Sequence, residues 1–495
     1  MIDNFIAGSV ALFGDPFTIG IFVFGVIGGM LFGAIPGVSM LTLAAILLPF
    51  TASLEPAQGV MLFAVIYCTG TYGGAITAIL FNIPGAPENA PTAFDGYPMT
   101  RKGQSGKAVG AAVLCSAIGG VTSAIVMMAA TEPLANWAIS NIGPPEIFAL
   151  VFFGLAVASS VGGRTLWKGW MSVLLGLLIA TIGQDPVGGI NRYNFGFSDL
   201  AAGIAFVPAI LGFFAVSEIF VQAEKKAIGM YEAPKLSLDF PTILELWTHK
   251  IAVVRSILVG FFCGILPGIG ATLAAFMGYG EAVRWSKNKE SFGKGNIEGV
   301  ISSETANNAA TGAAMIPLLA LGLPGGALTA MMVAVFQMHD LEPGPLVFYN
   351  SPELIWIVFA AMFYANVSIL FIGLIETKTI LHLLKIPFQF LAPMILLLAS
   401  IGSYIGRGLV LDVMVMFISG IMGFLLRRSG YSIPGIVLGI ILGKIGEQNF
   451  AQGMQMVHYD LLEYLSRPIC LLLIVAGSLT LLAGIYKALS FSFKS

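Results

Sequence analysis

Apolar runs of about 18 residues or more recur from one end of this chain to the other, each long enough for a helix to cross a hydrocarbon core of ~30 Å. That settles the solvent first. Only 10% of the residues are charged, where a soluble domain carries roughly a quarter, so lipid must cover most of the surface. The clear runs are 57–81, 108–130, 146–162, 167–182, 200–222, 300–337, 354–375, 388–404, 408–426, 431–446 and 468–488. Two more, 17–50 and 251–283, are interrupted midway by Pro-Gly and read as broken helical hairpins. The expected fold is therefore an all-α polytopic membrane protein with about eleven transmembrane helices plus those two hairpins. The 300–337 run exceeds one crossing and should contain an interruption of its own. Abundant glycine and proline, ruinous in soluble helices, suit close packing and broken helices in a membrane bundle.

Several function classes fall away. A net charge of −2 offers no basic face for nucleic acid. Cys68, Cys115, Cys263 and Cys470 lie inside apolar runs without metal-ligand spacing and read as packing residues. Neither His-Glu-x-x-His nor Gly-x-Ser-x-Gly occurs, and Gly103-Gln104-Ser105-Gly106-Lys107-Ala108 lacks the spacing of a phosphate loop. The reading is of neither an enzyme nor an ATP-driven protein, with no cofactor. The N-terminus has no basic segment or small-residue cleavage site, so no removable signal peptide is expected.

Cytoplasmic loops carry the Lys/Arg excess. With the loop around Arg101 inside, all of the 24 basic residues except Arg192, Arg407, Lys444 and Arg467 fall on that side. Loop 284–294 is then cytoplasmic and loop 339–353 lies on the opposite side.

The two interrupted runs share a pattern. Gly29-x-x-x-Gly33-x-x-Pro36-Gly37 matches Gly260-x-x-x-Gly264-x-x-Pro267-Gly268, and Thr-Leu-Ala-Ala follows each, at 42–45 and 272–275. A second echo pairs Thr69-Gly70 ahead of Pro84-Gly85 with Thr311-Gly312 ahead of Pro324-Gly325. An odd number of crossings separates the two runs, so the halves, 1–240 and 241–495, should lie upside down to one another, as in inverted-repeat secondary transporters. Pro-Gly breaks a helix inside the membrane, and the freed backbone groups must face protein or water. A helix restarting there presents N–H groups and a positive dipole end to a carboxylate. The expected substrate site comprises Pro36, Gly37, Val38, Ser39, Asn82, Pro84, Gly85, Pro267, Gly268, Ile269, Gly270, Thr272, Asn307, Asn308, Pro324 and Gly325.

Polar residues inside apolar territory mark the ion path. Ser302, Ser303, Glu304, Thr305, Asn308 and Thr311 are the expected coupling residues. Their hydroxyl and amide oxygens suit Na⁺, whereas Glu304 could instead carry a proton. Two blander alternatives stand beside this: Glu304 and Asn307 could cap a helix at the interface, and Glu88 could belong to an aqueous loop with Asp95, Arg101 and Lys102.

At these motifs the chain resembles the large membrane subunit of tripartite tricarboxylate transporters. The resemblance runs nearly end to end. It rests on GAIPGVS (33–39), the stretch from Tyr72 through FDGYPMTRKGQSGKAVG (94–110), GILPGIGATLAA (264–275), SETANNAATGAAMIPLLALGLPGGALTAMM (303–332) and LEPGPLVF (341–348). One departure is Ser303-Glu304-Thr305, where the family's usual pattern is Pro-Glu-Ala. The resemblance implies a multi-pass permease of the bacterial inner membrane, working with a small four-span membrane subunit and a periplasmic solute-binding protein. It implies import of a di- or tricarboxylate driven by a Na⁺ or H⁺ gradient. A single-component anion carrier or channel is the alternative within transport, and an intramembrane enzyme the alternative outside it.

Overall fold

The computed structural model describes the chain except for residues 36–37, 162–165, 186–187, 225–240, 242, 267–269, 384–387 and 493–495. Pro36, Gly37, Pro267, Gly268 and Ile269 therefore lie outside the described residues, as does the boundary at 240 between the two expected halves.

The protein is an all-α polytopic membrane protein. Among the described residues six helices are long and apolar enough to cross a membrane: Pro16–Ala34, Pro56–Phe81, Ser105–Asn141, Phe206–Glu224, Pro352–Gly373 and Val410–Arg428. Shorter apolar helices, such as Pro144–Ser159 and Pro468–Gly484, complete the bundle. The 300–337 run does contain an interruption: a helix ends at Leu321 and another begins at Ala327.

Two similar helix systems form the centre. In the first, α1 (Pro16–Ala34) leads past the Pro36-Gly37 segment to α2 (Met40–Leu47), and α3 (Pro56–Phe81) runs alongside α1. The chain then turns through Pro84-Gly85 into α4 (Ala90–Arg101), and α5 (Ser105–Asn141) follows. In the second system, α6 (Lys250–Ile265) leads to α7 (Gly270–Trp285), and α8 (Ile297–Leu321) runs alongside α6. Past the turn through Pro324-Gly325 come α9 (Ala327–Met338) and then α10 (Pro352–Leu383).

The glycine spacing of α1 and α6 is explained by these packings. A Cβ on Gly33 would strike the Gly70 carbonyl of α3, and one on Gly260 would strike the Ala306 carbonyl of α8. Residues four apart on a helix share a face, so small residues there let two backbones approach as lipid-embedded helices require. The two following turns also match. α3 ends at Asn82 and α8 at Gly322, both left-handed, with φ of 59° and 74°. The next amide bonds back beneath the turn in each, Ile83 N–H to Thr77 O (3.3 Å) and Leu323 N–H to Pro317 O (3.1 Å). A Cβ on Gly85 would overlap the Gly33 carbonyl, and one on Gly325 would lie 3.0 Å from the Gly264 carbonyl.

The systems interlock. α7 packs against the turn at 87–89 and against α4, while α2 packs against α9, so each system's short helix packs on the segment that follows the other system's Pro-Gly turn. α5 lies along α8, where Gly119 abuts the Thr305 carbonyl and Gly312 abuts Ser123.

Candidate functional site

Glu304 sits two turns into α8, whose N-cap is Asn296, the residue whose side chain accepts the Glu298 N–H. Glu304 and Asn307 are therefore not helix caps; both are fully buried. Thr92 Oγ1 of α4 donates to Glu304 Oε1 at 2.5 Å, and Ser116 Oγ of α5 donates to Oε2 at 3.0 Å. Ser303 Oγ lies 2.9 Å from Thr92 Oγ1, and the Asn307 and Asn89 side chains also neighbour the carboxyl. Among the described residues no Lys or Arg pairs with it. A carboxylate buried at membrane depth without a cationic partner is expensive.

The other expected coupling residues are placed differently. The Thr305 and Thr311 hydroxyls donate to their own helix, to Ile301 O (2.7 Å) and Asn308 O (2.8 Å). Asn308 Nδ2 binds Asn307 Oδ1 at 2.8 Å, leaving Asn308 Oδ1 buried without a partner, as is Ser302 Oγ. Among the described residues no group of three or more His, Cys, Asp or Glu could hold a metal. A cation here would rest on hydroxyl and amide oxygens around one carboxylate, a donor set suited to Na⁺ and poor for transition metals.

Beside this cage two helices begin at one point. Gly270 starts α7 with φ of 59°, and Gly326 precedes α9, giving its N–H to Thr329 Oγ1 at 2.8 Å. A Cβ on Gly270 would stand 3.9 Å from Gly326 Cα and 4.0 Å from Gly325 O, which places the two N-termini side by side. Glu88 faces them: Thr272 Oγ1, in the first turn of α7, donates to Glu88 Oε2 at 3.4 Å, and Asn307 Nδ2 donates to the Glu88 carbonyl at 3.4 Å. The structure thus brings together Gly270, Thr272, Asn307 and Gly325 of the expected substrate site. Val38 is buried and Ser39 caps α2, against which Gly70 of α3 packs through Met40. Gly85 and Pro324 form the walls of their turns, whereas Asn82 is exposed and serves as a left-handed cap.

The aqueous-loop reading of Glu88 and Asp95 is corrected. Glu88 is 5% exposed and Asp95 is fully buried. Asp95 anchors the entry to α8: Oδ1 accepts from the Gly295 and Asn296 amides, both at 2.8 Å, and Oδ2 accepts from Tyr279 OH at 2.9 Å. Asn89 and Thr92 fall in the stretch 82–92, which is too polar for an ordinary span, but the sequence assigns no role to either. Sequence reasoning missed Ser116, because a single hydroxyl in an apolar helix carries no signal of its own. A cavity of about 740 Å³ opens at the α8 entry and is lined by Lys107, His249, Arg255, Lys287 and Glu298 among others. Glu304 lies six residues further along α8, roughly 9 Å inward.

Comparison with known proteins gives this site a context. The signature of the "Tripartite tricarboxylate transporter TctA family" matches residues 19–438. An uncharacterised 52.8 kDa protein in the TAR-I ttuC' 3' region of Agrobacterium vitis is 35% identical over 460 residues, 92% of this chain and 90% of that protein. An uncharacterised protein in the TAR-II ttuC' 3' region of the same organism is 36% identical over 218 residues, 44% of this chain and 90% of its own length. No solved structure matches.

Proposed function

Because this chain belongs to the tripartite tricarboxylate transporter TctA family, we propose that it translocates an organic carboxylate through the junction of its Pro-Gly turns, driven by an ion held at Glu304. The family is one of transporters that work with partner subunits, so the protein is a multi-pass transporter subunit and not an enzyme. On this reading the substrate is a di- or tricarboxylate. One of its carboxylates meets the converging N-termini of α7 and α9, where unsatisfied amides and dipoles favour negative charge. Thr272 and Asn307 supply side-chain donors beside them.

The observation that carries the reading is the Glu304 carboxyl, buried, gripped by Thr92 and Ser116 and without a cationic partner. Na⁺ or H⁺ supplies the missing charge. Asn307 touches both Glu304 and Glu88, so occupancy of the ion cage and of the anion site bear on one side chain. The matched turns and glycine contacts favour two inverted halves moving against each other around this junction. The cavity beside Lys107 and Arg255 is then the mouth on the cytoplasmic side, and the membrane is the bacterial inner membrane. A periplasmic solute-binding protein and a small four-span subunit complete the system.

Reconstitution into proteoliposomes with those two partners tests this. Labelled citrate or succinate should accumulate only under an imposed Na⁺ or H⁺ gradient and only with the binding protein present. Accumulation independent of any gradient would overturn ion coupling at Glu304. Efficient saturable uptake by this chain alone would favour the single-component carrier.

A further inference from the structure

Glu88 is another buried carboxyl, and the ion cage does not use it. It lies on the short turn that joins Pro84-Gly85 to α4, only 5% exposed, and it faces the point where α7 and α9 begin. Its Oε2 is held at 3.4 Å by Thr272 Oγ1, while its Oε1 is buried without a hydrogen-bond partner. Tyr67 stands nearby, its hydroxyl 4.0 Å from where a Gly326 Cβ would be. Among the described residues no Lys or Arg pairs with Glu88.

A buried acceptor left unpaired at the start of a helix is a costly arrangement unless something exchanges with it. The first turn of α7 offers N–H groups and a positive dipole end, which is what a substrate carboxylate would seek. We infer that Glu88 is an internal competitor for the substrate: its carboxyl occupies the anion position at the α7 N-terminus and must withdraw or be neutralised before a substrate carboxylate enters.

The inference rests on the carboxylate site proposed above and adds its control. Two carboxylates within hydrogen-bonding reach of one donor repel, so the empty transporter holds its anion site closed with its own charge. The turn carrying Glu88 belongs to the first helix system and α7 to the second, so withdrawal of Glu88 loosens a contact between them. Substrate entry is thereby tied to the relative position of the two systems.

Binding to the purified full-length chain tests this, with citrate and succinate as tri- and dicarboxylate probes and thermal stabilisation in detergent as the readout. Glu88→Gln preserves shape and removes the charge. The concentration for half-maximal stabilisation should fall by about tenfold or more. Glu88→Asp keeps the charge and should show no such gain. Glu88→Ala should tighten binding as Gln does, which covers the case in which the Gln variant does not fold. If the wild-type chain is stabilised but both neutral variants bind equally or more weakly, Glu88 is no competitor and the carboxylate site stands without it. If neither probe stabilises the wild type or any variant, the carboxylate site falls, and this inference with it.

Discussion

Helices α3 and α8 occupy equivalent places and have different chemistry. Each lies at the centre of its helix system, buried along nearly its whole length, and each ends in a left-handed residue ahead of Pro-Gly. α3 is apolar enough to count among the membrane-crossing helices, and α8 is not. The buried threonine hydroxyls of α3 hold carbonyls of their own helix, Thr69 on Val65 O and Thr71 on Tyr67 O. α8 adds Glu304, Ser303 and Asn307, which reach across to α4, α5 and the Glu88 turn, and Asn308, which bonds within α8. The backbone device is duplicated, while the ionisable group is not. On the proposed reading, restarting N-termini in either system can meet an anion, while one buried carboxylate suffices to carry an ion. A second in α3 would add a desolvation cost with no further task.

The sharpest way to break this comparison is to remove the charge that distinguishes α8. Glu304→Gln keeps volume and hydrogen-bonding reach to Thr92 and Ser116. Gradient-driven uptake should be abolished while membrane insertion and thermal stability persist. Normal accumulation by this variant would move the coupling site elsewhere and leave α3 and α8 equivalent in function as well as in backbone.

A smaller effect is expected from the partners of that carboxyl. Thr92→Val removes the 2.5 Å donor to Glu304 Oε1, and Ser116→Ala the 3.0 Å donor to Oε2. A hydrogen bond to a charged group contributes about 1.5–3 kcal/mol, roughly ten- to a hundredfold in an equilibrium. The coupling-ion concentration that half-saturates uptake should shift by that factor, while substrate binding changes less. An unchanged ion dependence in both variants would remove them from the cage.

The next contrast concerns the turns. A Cβ on Gly85 would overlap the Gly33 carbonyl and lie 2.8 Å from Gly74 Cα, all backbone atoms. A Cβ on Gly325 would meet Ala314 Cβ and the Gly264 carbonyl at 3.0 Å, distances that a small adjustment relieves. Gly85→Ala should therefore lower the thermal midpoint more than Gly325→Ala, with overpacking costing about 1–3 kcal/mol at the tighter site. Equal losses, or a greater loss at Gly325, would show that the first turn is the looser one. These two turns were legible in the sequence as an echo, Pro-Gly following Thr-Gly in each half. The burial of Glu304 was legible too, since a carboxyl among Ser, Thr, Asn and Ala in an apolar region contradicts its surroundings. Thr92 and Ser116 were not, because their role depends on which helices meet, and that is set by packing rather than by local pattern. Asp95 looked like part of a charged loop for the same reason: its partners, the amides of Gly295 and Asn296, are two hundred residues away in sequence.

The smallest effect separates sequence position from spatial placement. Counted back from the left-handed caps Asn82 and Gly322, Thr71 and not the Thr69 of the sequence echo holds the place in α3 that Thr311 holds in α8, and the sequence pattern alone puts Thr311 in the ion path. In the structure both hydroxyls bond carbonyls of their own helix at 2.8 Å, Thr71 to Tyr67 O and Thr311 to Asn308 O. Such back-bonding leaves little for another partner and contributes little to stability. Valine keeps the branched shape, and the freed carbonyl retains its helical hydrogen bond. Thr71→Val and Thr311→Val should each cost less than about 1 kcal/mol of stability and change the ion dependence of uptake less than roughly twofold. The pair is more informative than either member alone. If Thr311→Val shifts the ion dependence strongly and Thr71→Val does not, the Thr311 hydroxyl turns towards the ion during transport. The asymmetry between α3 and α8 would then extend a full two turns beyond Glu304.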